Sequence, residues 1–466
     1  MENQKGKFSS NFGFLMACLG SAVGLGNLWS FPYKLGIGGG FAFLLIYVIF
    51  CIVIGYPLVL SEIAVGRKTQ KAAVEAYDEV KKGFAFNGVL QTIVPWLIVS
   101  FYCCFGGYIM RYLLGSITAF GGGWLATDDA GASFGMMLDP ANSVKMVIWM
   151  LVFLLITVAI VFGGVSGGIE RFCNVAMPAL FVMLLIIVIR SCTLPGAGAG
   201  LKFLFSPDLS MWKTDFFGVL TLAGGQMFFS LSLASACLIA YGSYLGKDEN
   251  LEKDAAFITI GDSVVALLAG MAIMPAVFSF GLEPGAGPGL LFVTMTTVFQ
   301  SMGAASKVFQ LIFWLLVFFA ALSSSIGMME AGIAAILDSR IKAGKPADRI
   351  KVTSIMGIVA FIGNFLTTYD CLGSNPKMNW FHILGQPDVL DVWDCIAEGL
   401  LMPLTGLIMA ILLGWVVPHY IDDEVKRGSD FKSRGLYNFC IKWLGPIFMA
   451  MIVYGQLTSV FAGLFA

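Results

Sequence analysis

The sequence predicts an all-α polytopic membrane protein, and three observations carry that prediction. Hydrophobic residues make up 58% of the 466, and charged residues only 12%, about half the charge of a soluble domain. Mean hydropathy is +0.85. The apolar residues gather into runs of about 20 or more, the length a helix needs to cross a bilayer.

Counted in this way there are eleven spans, near 12–33, 41–66, 87–120, 144–163, 171–190, 214–245, 254–281, 304–338, 350–368, 391–417 and 436–464. Several exceed the minimum, which predicts tilt or a break. With the N-terminus in the cytoplasm, most of the 28 Lys and Arg residues fall in inner loops, as the positive-inside rule requires. The odd count then puts the C-terminus outside a plasma (inner) membrane. The polar start, Met1 to Lys7, has no small-residue cleavage site after it, so the first span is read as retained. A net charge of −1 gives no footprint for a nucleic acid. The ten cysteines lie mostly inside apolar runs without a CxxC pair or a His cluster, and read as small apolar filler. No metal cluster, nucleophile–base pair or cofactor fingerprint speaks for an enzyme.

The first span carries Gly20-Ser21-Ala22-Val23-Gly24-Leu25-Gly26-Asn27-Leu28-Trp29-Ser30-Phe31-Pro32. Three glycines and a proline weaken a helix at a depth where no water rescues freed backbone groups. Such a stretch fits a broken helix whose carbonyls hold something polar, or close helix packing through small residues. The sixth span repeats the feature in Gly224-Gly225-Gln226-Met227-Phe228-Phe229-Ser230-Leu231-Ser232-Leu233-Ala234-Ser235-Ala236. Packing does not require a second break five spans after the first, whereas inverted repeats around a midplane site do. The expected organisation is a first five-span repeat over 1–190, a second over 191–420, and an additional eleventh span in 421–466.

Polar residues in other spans point to the same region. Ser323-Ser324-Ser325 interrupts the apolar eighth span. Such hydroxyls either bond back to their own helix or offer oxygen to a hard cation. Glu62 and Asp262 are carboxylates within or at the inner end of spans, where an ionisable group is a functional candidate by default. Glu62 is expected to satisfy backbone donors freed by a broken neighbour, and Asp262 to meet a cation.

The motifs Ala22-Val23-Gly24-Leu25-Gly26-Asn27-Leu28-Trp29, Gly38-Gly39-Gly40, Glu62 with Gly66-Arg67, Phe228-Phe229-Ser230-Leu231-Ser232, Gly287-Pro288-Gly289-Leu290-Leu291-Phe292 and Leu322-Ser323-Ser324-Ser325 occur in this order. On these the chain resembles the neurotransmitter:sodium symporter family, bacterial amino-acid transporters of the leucine-transporter fold, over essentially its whole length. The resemblance implies a symporter that imports an amino acid with sodium by alternating access, as a monomer or homodimer. It implies two sodium sites, one from Ala22, Asn27, Ser230 and Asp262, the other from Gly20, Val23, Ala320, Ser323 and Ser324. Asp262 stands where chloride-dependent relatives carry Asn, which implies independence of chloride. The substrate site would comprise Ser21, Ala22, Gly24, Leu25, Gly26, Ile98, Tyr102, Phe229, Ser230, Ser232, Ala234, Ser235, Ser324 and Met328. Relatives that carry amines place Asp at the position of Gly24, so an amino acid is expected. The mostly apolar lining suits a neutral, mostly hydrophobic one, with room for an aromatic side chain.

Some positions depart from the family. Ser30 replaces the usual basic residue, so the outer gate, normally that cation paired with an acid near Asp394, is expected to close through Phe229 and Tyr102 alone. At the inner gate Lys5 and Phe8 stand for Arg and Trp. Lys5 is expected to pair with Asp338, with a contribution from Tyr244. Ala234 and Ala236 occupy positions where glycine is expected, which leaves the shape of the second break open. Fold does not fix function, so the rival reading is an amino-acid sensor that no longer transports.

Overall fold

The computed structural model describes residues 6–127, 129–284, 287 and 289–465. Among these, nine continuous helices are long and apolar enough to cross a membrane. They are Phe41–Thr69 (span 2), Ala85–Gly121 (span 3), Pro140–Phe162 (span 4), Val165–Cys192 (span 5), Leu251–Ser279 (span 7), Ser306–Lys342 (span 8), Arg349–Asp370 (span 9), Val389–Val416 (span 10) and Arg434–Thr458 (span 11). The two remaining apolar segments cross in two pieces each. Span 1 is Asn11–Ala22 followed by Gly26–Ile37, bent by 48°. Span 6 is Ser210–Ser230 followed by Cys237–Gly242. Among the described residues nine continuous spans and the bent first span are therefore present, and the sixth expected segment is interrupted at the second predicted place.

Spans 3 and 8 form the most extensive helix pair and are the most buried, at 72% of their apolar windows against 33% for span 11. They are the centre of the bundle. Spans 4, 5 and 9 instead expose Ile148, Leu155, Val182, Ile189, Ile358 and Ile362. Apolar side chains turned outward over the length of a span are what a bilayer stabilises.

Prolines shape several spans in a shared way. Phe31, Tyr56, Met402 and Gly445 each donate their N–H to the carbonyl five residues back, closing a π-turn. In each case the next residue is a proline: Pro32, Pro57, Pro403 and Pro446. A proline ring clashes with the carbonyl four residues behind it and lacks a donor for it. Widening the turn just before the ring lets the helix continue.

At the first break Val23 leaves the helix with ψ 97°. The second break is more strained. Ser232, Ala234 and Ala236 have φ of 51°, 54° and 62°, a region that costs a residue with a Cβ about 1–2 kcal/mol. The two alanines thus adopt the backbone expected of glycine. Polar partners hold them there. Buried Glu62 of span 2 accepts the Ala234 N–H at 2.6 Å through Oε1, as expected of that carboxylate. The breaks also brace each other: Ser232 Oγ donates to the Ser21 carbonyl at 2.9 Å, and Gln226 Nε2 to the Gly26 carbonyl at 2.8 Å.

Losing the acceptor for a buried N–H costs about 1–3 kcal/mol. Glu62→Ala is accordingly expected to lower the apparent unfolding midpoint in detergent by several degrees, with Glu62→Gln retaining most of the wild-type value. Equal midpoints for the two variants would remove this role.

Candidate functional site

Asn27, Ser230 and Asp262 come from spans 1, 6 and 7 and meet between the breaks, all three fully buried. Asn27 Nδ2 donates to Asp262 Oδ1 at 2.7 Å and to Ser230 Oγ at 3.0 Å, while Ser230 Oγ donates to Asp262 Oδ2 at 2.7 Å. Asn27 Oδ1 accepts the Gly24 N–H at 3.2 Å. Tyr47 of span 2 joins through a 3.3 Å hydroxyl contact with Ser230, a residue the sequence reading missed because an aromatic in an apolar span carries no distinguishing signal. A cluster of amide, hydroxyl and carboxylate oxygen is what a hard cation takes.

A second oxygen set lies where the first half of span 1 meets span 8. Ser324 Oγ donates to the Gly20 carbonyl and Ser323 Oγ to the Ala320 carbonyl, both at 3.1 Å. The Ser323 bond is the within-helix kind, and the Ser324 bond crosses between helices. Ser325 instead bonds the Leu322 carbonyl and meets Thr157 of span 4 at 2.9 Å, away from this set. Ala22 ends the first half of span 1, and Val23 begins the break.

Beside these sets is a narrow cavity lined by Ser21, Ala22, Gly24, Gly26, Ile98, Tyr102, Phe229, Ser232, Ser235, Ser324, Met328 and Met402. Most of the expected substrate residues are therefore together. Leu25, Ser230 and Ala234 do not line it. Leu25 donates its N–H to the Tyr102 hydroxyl at 3.0 Å, which fixes that hydroxyl at the cavity wall. Ala234 turns its N–H to Glu62. Met402, at a π-turn of span 10, was not foreseen. Gly24 is sterically required: an added Cβ would lie 2.2 Å from Ser324 Oγ and 2.5 Å from the Tyr102 oxygen.

On the side expected to face outward, the expectation that Ser30 leaves the gate without a cation needs correction. Ser30 Oγ donates to Gln226 Oε1 at 2.8 Å, and so supports the side chain that braces the first break. The cation is Lys34, four residues further on, whose ammonium pairs with Glu398. Glu398 is four residues past Asp394, and the two carboxyl groups are neighbours. The ion pair on this side is thus formed by residues each four positions beyond those anticipated. Lys34 and Glu398 are only 14% and 7% exposed. The Lys34 ammonium also stands 6.0 Å from the centroid of the Phe229 ring, which roofs the cavity.

On the opposite side Lys5 lies outside the described residues. Asp338 accepts the Ala72 N–H at 2.6 Å. Tyr244 donates to Glu330 Oε1 at 2.8 Å, and fully buried Glu330 pairs with Arg349 at 2.5 Å. Phe8 lies edge-on to Tyr241 and Tyr244. Ser9 donates its N–H to Glu170 of span 5 at 2.8 Å. Tyr244, Glu330 and Arg349 thus form one buried polar network on this side, and sequence reasoning did not single out Glu330 or Arg349. Just outside the spans, the Lys342 ammonium bound to Asp78 holds that carboxyl below its ordinary range.

Two helices interrupted at the same depth around an oxygen-lined cavity, with charged contacts above and below, define a secondary transporter. The profile of the Sodium:neurotransmitter symporter family matches residues 5–127 and 134–463, and the chain belongs to that family. It is 36% identical over 462 residues to an uncharacterized sodium-dependent transporter of Bacillus subtilis, covering 97% of each protein. It is 33% identical over 468 residues to one of Haemophilus influenzae, covering 97% of this chain and 98% of that protein. The solved structure of MhsT in complex with L-phenylalanine matches with a TM-score of 0.86 at 33% identity, over 97% of this chain and 100% of that one. The protein is a sodium-dependent, multi-pass membrane transporter and not an enzyme.

Breaking one side of a buried ion pair costs about 3–5 kcal/mol. Lys34→Gln and Glu398→Gln are each expected to slow sodium-dependent uptake at least tenfold, and the exchanged pair Lys34→Glu/Glu398→Lys to recover part of it. Uptake in the exchanged pair no better than in the worse single variant would argue against a gate made by this contact.

Proposed function

We propose that the protein is a sodium-coupled symporter that imports a neutral, mostly hydrophobic amino acid, aromatic ones included, independently of chloride. The observation that carries this reading is the junction of the Asn27–Ser230–Asp262 cluster with the cavity beside Gly24 and Tyr102. A substrate carboxylate at that junction meets the amides of the first break, the Tyr102 hydroxyl and a sodium ion on the cluster. The substrate ammonium meets carbonyls of the second break. The lack of room at Gly24 for an Asp side chain disfavours an amine without a carboxylate. The L-phenylalanine bound to MhsT supports the substrate class.

A second sodium ion would take the carbonyls of Gly20, Val23 and Ala320 with the Ser323 and Ser324 hydroxyls. Each ion contributes about 1.4 kcal/mol per tenfold gradient and about 2.3 per 100 mV. Two ions therefore supply about 7 kcal/mol, on the order of 10⁵-fold accumulation. The cycle is alternating access, in which the Lys34–Glu398 pair and the Tyr244–Glu330–Arg349 network open in turn. The N-terminus faces the cytoplasm across a bacterial inner membrane, and residues 1–190 and 191–420 act as the two repeats. In place of bound chloride, the Asp262 carboxylate supplies the negative charge beside the first ion.

Uptake of single labelled amino acids into proteoliposomes, under inward sodium against potassium, tests the reading. Sodium-dependent accumulation of one or a few neutral amino acids is expected. Saturable sodium-dependent binding without accumulation would replace it with the sensor. In the same assay Asp262→Asn is expected to weaken substrate binding about tenfold or more in chloride-free buffer and to be partly rescued by added chloride; indifference to the anion would end the proposed charge substitution.

A further inference from the structure

The walls of the central cavity differ in how far they can yield. Ile98 is β-branched and stiff about χ1 in its helix. Tyr102, Ser232 and Ser324 are each tied to backbone groups of the first break. Gly24 and Gly26 contribute only backbone. Two lining residues, Met328 and Met402, are unbranched thioethers with several rotatable bonds, the side chains that adapt most readily to an irregular space.

Behind one of them there is somewhere to go. A second, mainly apolar and roomier cavity lies between spans 3, 8 and 9 against Trp96, Val99, Met329, Met356, Val359 and Ala360, and Met328 lines it as well. Met328 is thus a partition between the two spaces. The central cavity is narrow, and the backbone atoms of an amino acid use part of it. Rotation of one methionine would join the spaces.

We infer that the cavity between spans 3, 8 and 9 is a latent side-chain subsite, opened when Met328 swings into it, that admits large apolar side chains such as an indole or benzyl group. The inference rests on the amino-acid reading above and assigns the upper size limit of the substrate to a single rotamer. Small side chains leave the partition shut and do not sense the space behind it. Large ones displace the thioether, and their ring gains contact with its sulfur, a favourable arrangement for aromatic groups.

The test is sodium-dependent binding of labelled valine and tryptophan to purified wild-type protein, to Ala360→Leu and to Val359→Phe. Ala360 and Val359 line the rear space and not the central cavity, so valine affinity is expected to stay within about twofold of wild type in both variants. Tryptophan affinity is expected to fall at least tenfold in Ala360→Leu and severalfold in Val359→Phe. Val359 is 39% exposed, so its variant serves alone if the other misfolds. Unchanged tryptophan binding, or an equal loss for both ligands, would overturn the subsite. So would a wild-type protein that binds valine but not tryptophan. A wild-type protein that binds no amino acid in sodium overturns the parent reading, and the subsite falls with it.

Discussion

A bilayer interior offers no water to a backbone group that leaves a helix, and this constraint governs the centre of the molecule. Both breaks release N–H and C=O groups at membrane depth, and those groups find partners in neighbouring spans. Glu62 takes the Ala234 N–H, Tyr102 the Leu25 N–H and Asn27 the Gly24 N–H, while Ser232, Ser324 and Gln226 donate to carbonyls of the first break. The network joins spans 1, 2, 3, 6 and 8. It stabilises a backbone that propensity alone would not support, including three left-handed residues with side chains. Three of the groups that hold the breaks open, Tyr102, Ser232 and Ser324, also line the cavity, so the structural and the binding requirement meet there.

The charged layers above and below follow a different logic. Lys34–Glu398 and Glu330–Arg349 are largely removed from water. Buried pairs of this kind give little net stability over apolar packing, since desolvation offsets most of their attraction. What such a pair offers in place of stability is a definite made and a definite broken state. A contact of small net free energy can be released during a transport cycle without a large barrier, whereas a packed apolar layer cannot.

The architecture was largely legible in the sequence because hydropathy and glycine placement report directly on membrane span and helix failure. The eleven apolar runs, the breaks near Val23 and after Ser230, and the Glu62 contact follow from these alone or nearly so. The cation cluster was legible because Asn27, Ser230 and Asp262 are polar residues in apolar surroundings. The outer gate was misread for a definable reason. Ser30 drew attention as a missing cation, while Lys34, just past the first apolar run, and Glu398, inside the tenth, were not weighed as a pair because nothing in the sequence joins two charges 364 residues apart. Met402 and Tyr47 were not legible at all, because an apolar or aromatic residue in a span reveals nothing about which way it faces. Lys5 lies outside the described residues.

The π-turns before Pro32, Pro57, Pro403 and Pro446 bear on how such a chain can change length. Insertions and deletions are usually confined to loops, because losing one residue from an α-helix rotates everything beyond it by about 100°. A π-turn is itself one residue more than an α-turn, held in place by the proline that follows. Deleting a residue from the turn at Gly26–Ser30 would convert it to an α-turn and keep Lys34 on nearly the same side of the helix as Glu398, at the cost of the clash that the wide turn avoids before Pro32. These turns are thus places where a span can lose one residue and keep the contacts beyond it, and a one-residue gap placed there in comparing this chain with a relative corresponds to a narrower turn with the helix register retained.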